Sequence, residues 1–68
     1  MKTISGNKLC GILEKKGWLL KRVHGSHHIY AKAGLNLRIS VPVHGNKSLK
    51  CGLQKSLMKS AGIDEKDL

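Results

Sequence analysis

The chain has no phenylalanine, and one tryptophan and one tyrosine are its only aromatic residues. Its core must therefore be assembled from Leu, Ile, Val and Ala. Acid is scarce too. Four Asp and Glu stand against thirteen Lys and Arg, for a formal net charge of +9, and Asp64, Glu65 and Asp67 crowd the C-terminal end. No apolar run approaches the ~20 residues that cross a bilayer, and the opening residues lack the apolar stretch of a secretion signal. No membrane-spanning segment or signal peptide is therefore expected, and the expected location is the cytoplasm. The two cysteines, Cys10 and Cys51, form no C-x-x-C, so free thiols in a reducing compartment are expected. Together with His24, His27, His28 and His44 they match no zinc-ligand spacing. No metal or other cofactor is expected, and the lack of acids near the histidines argues against a Mg²⁺-dependent nuclease, which uses carboxylates.

What remains is a small, strongly basic chain. Sixty-eight residues make one domain, 1–68, and a domain of this size buries only about 60% of the surface its unfolded chain exposes. The positive field selects anionic partners: nucleic acid, an acidic protein or an anionic membrane surface.

Hydrophobic spacing predicts helix, three strands, helix. Ser5 is the N-cap of a first helix over residues 6–16, with Leu9, Ile12 and Leu13 on one face and Gly17 ending it. Strands follow over residues 18–23, 27–32 and 37–41. In the last, Leu37, Ile39 and Val41 alternate toward a core while Arg38 and Ser40 face out, and Pro42 stops the ladder. A second helix covers residues 51–61, with Leu53, Leu57, Met58 and Ala61 on one side. Gly62 ends it, Ile63 folds back, and Asp64 caps a final short turn. The fold class expected is α+β: a two-layer α-β-β-β-α sandwich whose three-stranded antiparallel sheet has both helices on one face.

The chemistry concentrates at Gly25-Ser26-His27-His28-Ile29-Tyr30. A Gly-Ser turn delivers an imidazole to the mouth of a strand, and imidazole, with an ordinary pKa of about 6.5, suits proton transfer near neutrality. His27 and Ile29 share one strand face, His28 and Tyr30 the other, and parity alone does not say which face is open. Arg22, Lys32 and Arg38 come from adjacent strands and read either as a phosphate-binding patch near His27 or as a solvated basic face. Ser26 flanks His27 as a further RNA contact, and His28 reads as a solvent-facing or RNA-contacting residue rather than a catalyst. For His44 three roles fit: a second acid/base group, a phosphate contact, or a loop residue bonded to nearby backbone. Tyr30 can stack on a base or serve as a half-buried sheet aromatic. Trp18 reads as a core anchor and His24 as a turn residue.

Gly25-Ser26-His27, Val41-Pro42-Val43-His44-Gly45 and Lys59…Ala61-Gly62-Ile63, with Ser5-Gly6 and Gly17-Trp18…Arg22, resemble the HicA mRNA interferase toxins over nearly the whole chain. The resemblance implies a double-stranded-RNA-binding-domain-like fold, an mRNA-cleaving ribonuclease with His27 as its essential histidine, and inhibition by a cognate HicB antitoxin. Two positions depart from the family pattern. Leu53 stands where a threonine is usual at the start of the last helix, and Lys8 replaces an acidic residue in the first. Metal-free cleavage needs a base for the 2′-hydroxyl, an acid for the leaving 5′-oxygen, and cations on the phosphate. A non-catalytic RNA- or DNA-binding module, or a small domain docking an acidic partner, would carry the same charge and fold.

Overall fold

The computed structural model describes residues 2–68. The elements run α1 (Gly6–Lys15), β1 (Leu19–His24), β2 (His27–Ala31), β3 (Arg38–Pro42) and α2 (Cys51–Ala61), closed by a short 3₁₀ turn, Glu65–Asp67. The strands form one antiparallel sheet in the order β1-β2-β3. Leu9, Ile12 and Leu13 of α1 and Met58 of α2 join Tyr30, Ile39 and Val41 of the sheet in one buried cluster anchored by Trp18. Both helices thus cover the same sheet face, as the α+β two-layer reading requires.

Local chemistry accounts for the element ends. The Lys8 amide donates to the Ser5 side chain at 3.2 Å, satisfying one of the free amides at the start of α1. Gly17, at φ 95°, takes the left-handed turn that ends that helix, and the Trp18 amide folds back to the Leu13 carbonyl. In α2 the same device recurs with Gly62 at φ 71° and the Ile63 amide on the Met58 carbonyl. The start of α2 differs: Lys50 holds the N-cap position and makes no side-chain hydrogen bond there. Asp64 and Asp67 bond each other's backbone across the final turn, and Asp67 pairs with Lys16 at 2.9 Å.

Four sequence expectations are corrected. Each strand is displaced by one residue at one or both ends. β3 includes Pro42, which is tolerated because it ends an edge strand. Leu37 lies outside β3 and is 43% exposed, so the inward alternation begins at Ile39. The buried side of α2 carries Gln54 and Met58 while Leu53 is exposed. The reason is a polar clamp. The Gln54 amide oxygen accepts from the Ile4 backbone N–H at 2.8 Å, and its amide nitrogen donates to the Lys2 carbonyl at 2.7 Å. With the Leu49 amide bonded to the Ile4 carbonyl, this seats the N-terminal segment between α2 and the loop after β3.

One contact sets the helix layer against the sheet. A side chain at Gly6 would overlap the Pro42 carbonyl oxygen, so the first turn of α1 lies directly on the end of β3. Pro42 is in turn the register partner of His27.

Candidate active site

The pleat assigns each strand residue to a face. In β3, Ile39 and Val41 are buried, which puts Arg38, Ser40 and Pro42 on the face away from the helices. Across the β2–β3 ladder, His27 opposes Pro42, Ile29 opposes Ser40 and Ala31 opposes Arg38. Across β1–β2, His24 opposes His27 and Arg22 opposes Ile29. The open face therefore carries His24, His27, Arg22, Ser40 and Arg38, all exposed. No residue of the three strands is a carboxylate.

His27 is held from both sides. On one side, Gly25 and Ser26 form a two-residue turn in which only Gly25, at φ 61°, has a positive φ. That is the II′ type, whose twist matches the flanking strands. On the other, the Val43 amide donates to the Ser26 carbonyl at 2.7 Å, extending the β2–β3 pairing past His27. The ring lies with Nδ1 3.3 Å from Ser40 Oγ. When Nδ1–H donates to that oxygen, Nε2 carries its lone pair outward, the tautomer a general base requires.

A cavity of about 330 Å³ opens between the end of β3 at Pro42, the loop that follows it and the start of α2. His44, Lys47, Lys50 and Leu53 line it, and the Asn7 side-chain amide holds the loop by donating to the Gly45 carbonyl at 3.0 Å. Among the described residues no group of three or more His, Cys, Asp or Glu is arranged to hold a metal ion. No helix among them is long and apolar enough to cross a membrane.

A protein-family model described as the HicA toxin of bacterial toxin–antitoxin systems matches residues 6–63. The chain belongs to the HicA toxin family. The match begins at Gly6, in contact with β3, and ends at Ile63, the residue that closes α2, so it covers the sheet and both helices. No curated protein matched the chain. The α-β-β-β-α order is the double-stranded-RNA-binding-domain-like fold of HicA toxins, and membership in a toxin–antitoxin family implies an antitoxin partner.

Within this HicA domain the structure brings His27, Arg22 and Arg38 to one face and seats Ser26 in the turn beside them. Two other residues expected to contact RNA lie off this face. His28 opposes Val41 and Val23, so alternation turns it toward the helix side, half-buried. Lys32 lies past the far end of β2, its ammonium 5.9 Å from the Trp18 ring centroid, where a cation is attracted to the aromatic face. Tyr30 is 1% exposed and donates to Glu14 Oε2 at 2.7 Å, which leaves it no face for stacking. Burial first, and then the bond to Glu14, raises its phenol well above the ordinary tyrosine range. His44 lies in the loop beyond Pro42 and lines the cavity.

Sequence reasoning assigned His24 to the turn, whereas the structure sets it directly opposite His27. The signal was present. A two-residue Gly-Ser turn forces the residues on either side of it into register. What hid the rest of β1 is a bulge between Leu20 and Arg22, which breaks the alternation that would place Arg22 and His24.

Proposed function

We propose that this protein is the toxin of a type II toxin–antitoxin pair and acts as a metal-independent endoribonuclease on mRNA in the cytoplasm, with His27 as a proton-transfer group and a HicB antitoxin as its inhibitor. One observation carries the reading: in a chain of the HicA toxin family, His27 stands exposed on a rigidly paired, cationic, carboxylate-free sheet face. Arg22 and Arg38 approach the phosphate, where fixed cations stabilise charge as it develops. His27 takes the proton of the ribose 2′-hydroxyl, and the 2′-oxygen attacks phosphorus. The bond to the 5′-oxygen breaks as that oxygen accepts a proton. The products are a 2′,3′-cyclic phosphate and a 5′-hydroxyl end. Ser26 and His44 flank the RNA path, and the antitoxin inhibits by covering the His27 face.

The double-stranded-RNA-binding-domain-like architecture also suits a module that binds without cleaving, and one experiment separates the two. His27→Ala, with folding checked by circular dichroism, is assayed for RNA binding and for cleavage of the same transcript. The ribonuclease reading expects binding within a few-fold of the parent and cleavage reduced by about 10²–10⁴-fold. Cleavage by the variant at the parent rate would overturn it, and a parent protein that binds but never cleaves would favour the binding module.

A further inference from the structure

We propose that His24 is the second proton-transfer group, the acid that protonates the leaving 5′-oxygen opposite the His27 base. This inference rests on the ribonuclease reading and assigns the half of the reaction which that reading leaves open.

The argument is positional. His24 and His27 flank the Gly25-Ser26 turn and are register partners in the β1–β2 ladder. Directly opposed residues on one face hold their Cβ atoms about 5 Å apart, so two imidazoles rise side by side from adjacent strands. A two-residue hairpin permits little slippage, and His24 is thus fixed relative to His27 by backbone hydrogen bonds rather than by loop packing. Both side chains are exposed; neither fills core space that would explain a histidine there. The groups sharing their face are Arg22 from β1 and Arg38 and Ser40 from β3. The helices lie on the opposite side, and no carboxylate stands among these neighbours to hold His24 for a structural purpose. Ser40 contacts His27 through Nδ1, which marks His27 as the oriented base. The competing group, His44, lies beyond the last paired residue of β3, in a loop tied to α1 through Gly45.

The proton balance closes with the pair. His27 gains the 2′-hydroxyl proton as the 2′-oxygen bonds to phosphorus. His24, entering as imidazolium, gives its Nε2 or Nδ1 proton to the 5′-oxygen as the P–O5′ bond breaks. Exchange with water returns each ring to its starting state.

The test measures single-turnover cleavage of a short RNA and of the same RNA with a 5′-phosphorothiolate at the scissile bond. A sulfur leaving group departs without a proton. His24→Gln is expected to fold at the parent melting temperature, bind RNA within about twofold, and cleave the oxygen substrate about 10²-fold more slowly. It should recover to within a few-fold of the parent on the sulfur substrate, whereas His27→Gln stays slow on both. If His24→Gln matches the parent on the oxygen substrate while His27→Gln is inactive, His24 has no such role and the ribonuclease reading stands. Slow cleavage of both substrates by His24→Gln would also overturn the proposal, by showing a binding or structural role. Sulfur rescue of His44→Gln but not of His24→Gln would move the acid to His44. If both His24→Gln and His27→Gln cleave at the parent rate, neither histidine transfers a proton and the proposal falls; a parent protein that cleaves neither substrate overturns the ribonuclease reading itself.

Discussion

The two faces of the same three strands make the instructive comparison in this molecule. On the helix side, Tyr30, Ile39 and Val41 are at most 2% exposed and pack into the core with Trp18 and the helices. On the other side, the alternating residues of the same strands, His27, Ser40, Arg38 and Arg22, face solvent. Across the β2–β3 ladder the pleat thus separates the core from the candidate site residue by residue, whereas β1 is exposed on both faces. It follows that substitutions on one face should move the melting temperature, and those on the other should move RNA cleavage, with few doing both.

Gly6→Ala is the substitution most able to break that separation. Its methyl group meets the Pro42 carbonyl, a backbone atom that cannot rotate away, so α1 or the end of β3 must shift. A loss of about 3 kcal/mol in unfolding free energy is expected from such overpacking. Because Pro42 opposes His27, cleavage per folded molecule should fall as well. Chemical denaturation and an active-fraction-corrected rate check both halves.

Gln54→Leu should respect the separation. It leaves the Ile4 N–H and the Lys2 carbonyl without their partner and costs about 2 kcal/mol, while the cleavage rate of the folded fraction stays at the parent value. Tyr30→Phe removes the bond to Glu14 and should cost about 1 kcal/mol, because the exposed carboxylate is rehydrated. It also carries a pH signature. The Tyr30 phenol is held above its ordinary range by burial and then by Glu14. Its contribution to stability is therefore fully present below about pH 10, where the unfolded tyrosine ionises, and is lost as pH rises beyond that. Melting curves between pH 8 and 11 should show this loss in the parent and not in Tyr30→Phe.

Arg22→Gln and Arg38→Gln are the mildest and sharpen the contrast from the open side. Each should leave stability within about 0.5 kcal/mol and lower the slope of log affinity for RNA against log salt by about one. Binding isotherms across a salt series read this directly. An unchanged slope would remove that arginine from the phosphate path.

Most of the covered face was legible in the residues themselves. The Ile39-Ser40-Val41 alternation, the Ser5 cap and the Gly17 and Gly62 stops each encode their structure within a few residues, and residues 51–61 were delimited without error although the buried side of that helix was not. The candidate site was legible only in part. His27 is announced by its turn, but the face it occupies depends on Ser40 and Val41 across the ladder, a long-range fact. The β1 bulge erases periodicity just where Arg22 and His24 would be assigned. Parity set His28 on the face opposite to His27, but only the ladder with Val41 says that this is the covered side, and Lys32 lies past the end of β2, where charge alone does not report its surroundings. Gln54 was missed because a buried amide is warranted only by the chain segment it clamps, fifty residues away.

The central claim is that an open sheet face bearing His27 performs RNA cleavage that the helix-covered face merely supports. The most direct test follows melting temperature and RNA cleavage together in purified His27→Ala. An unchanged melting temperature with cleavage down by two to four orders of magnitude is the result expected; a variant that is equally stable and still cleaves RNA at the parent rate would contradict it.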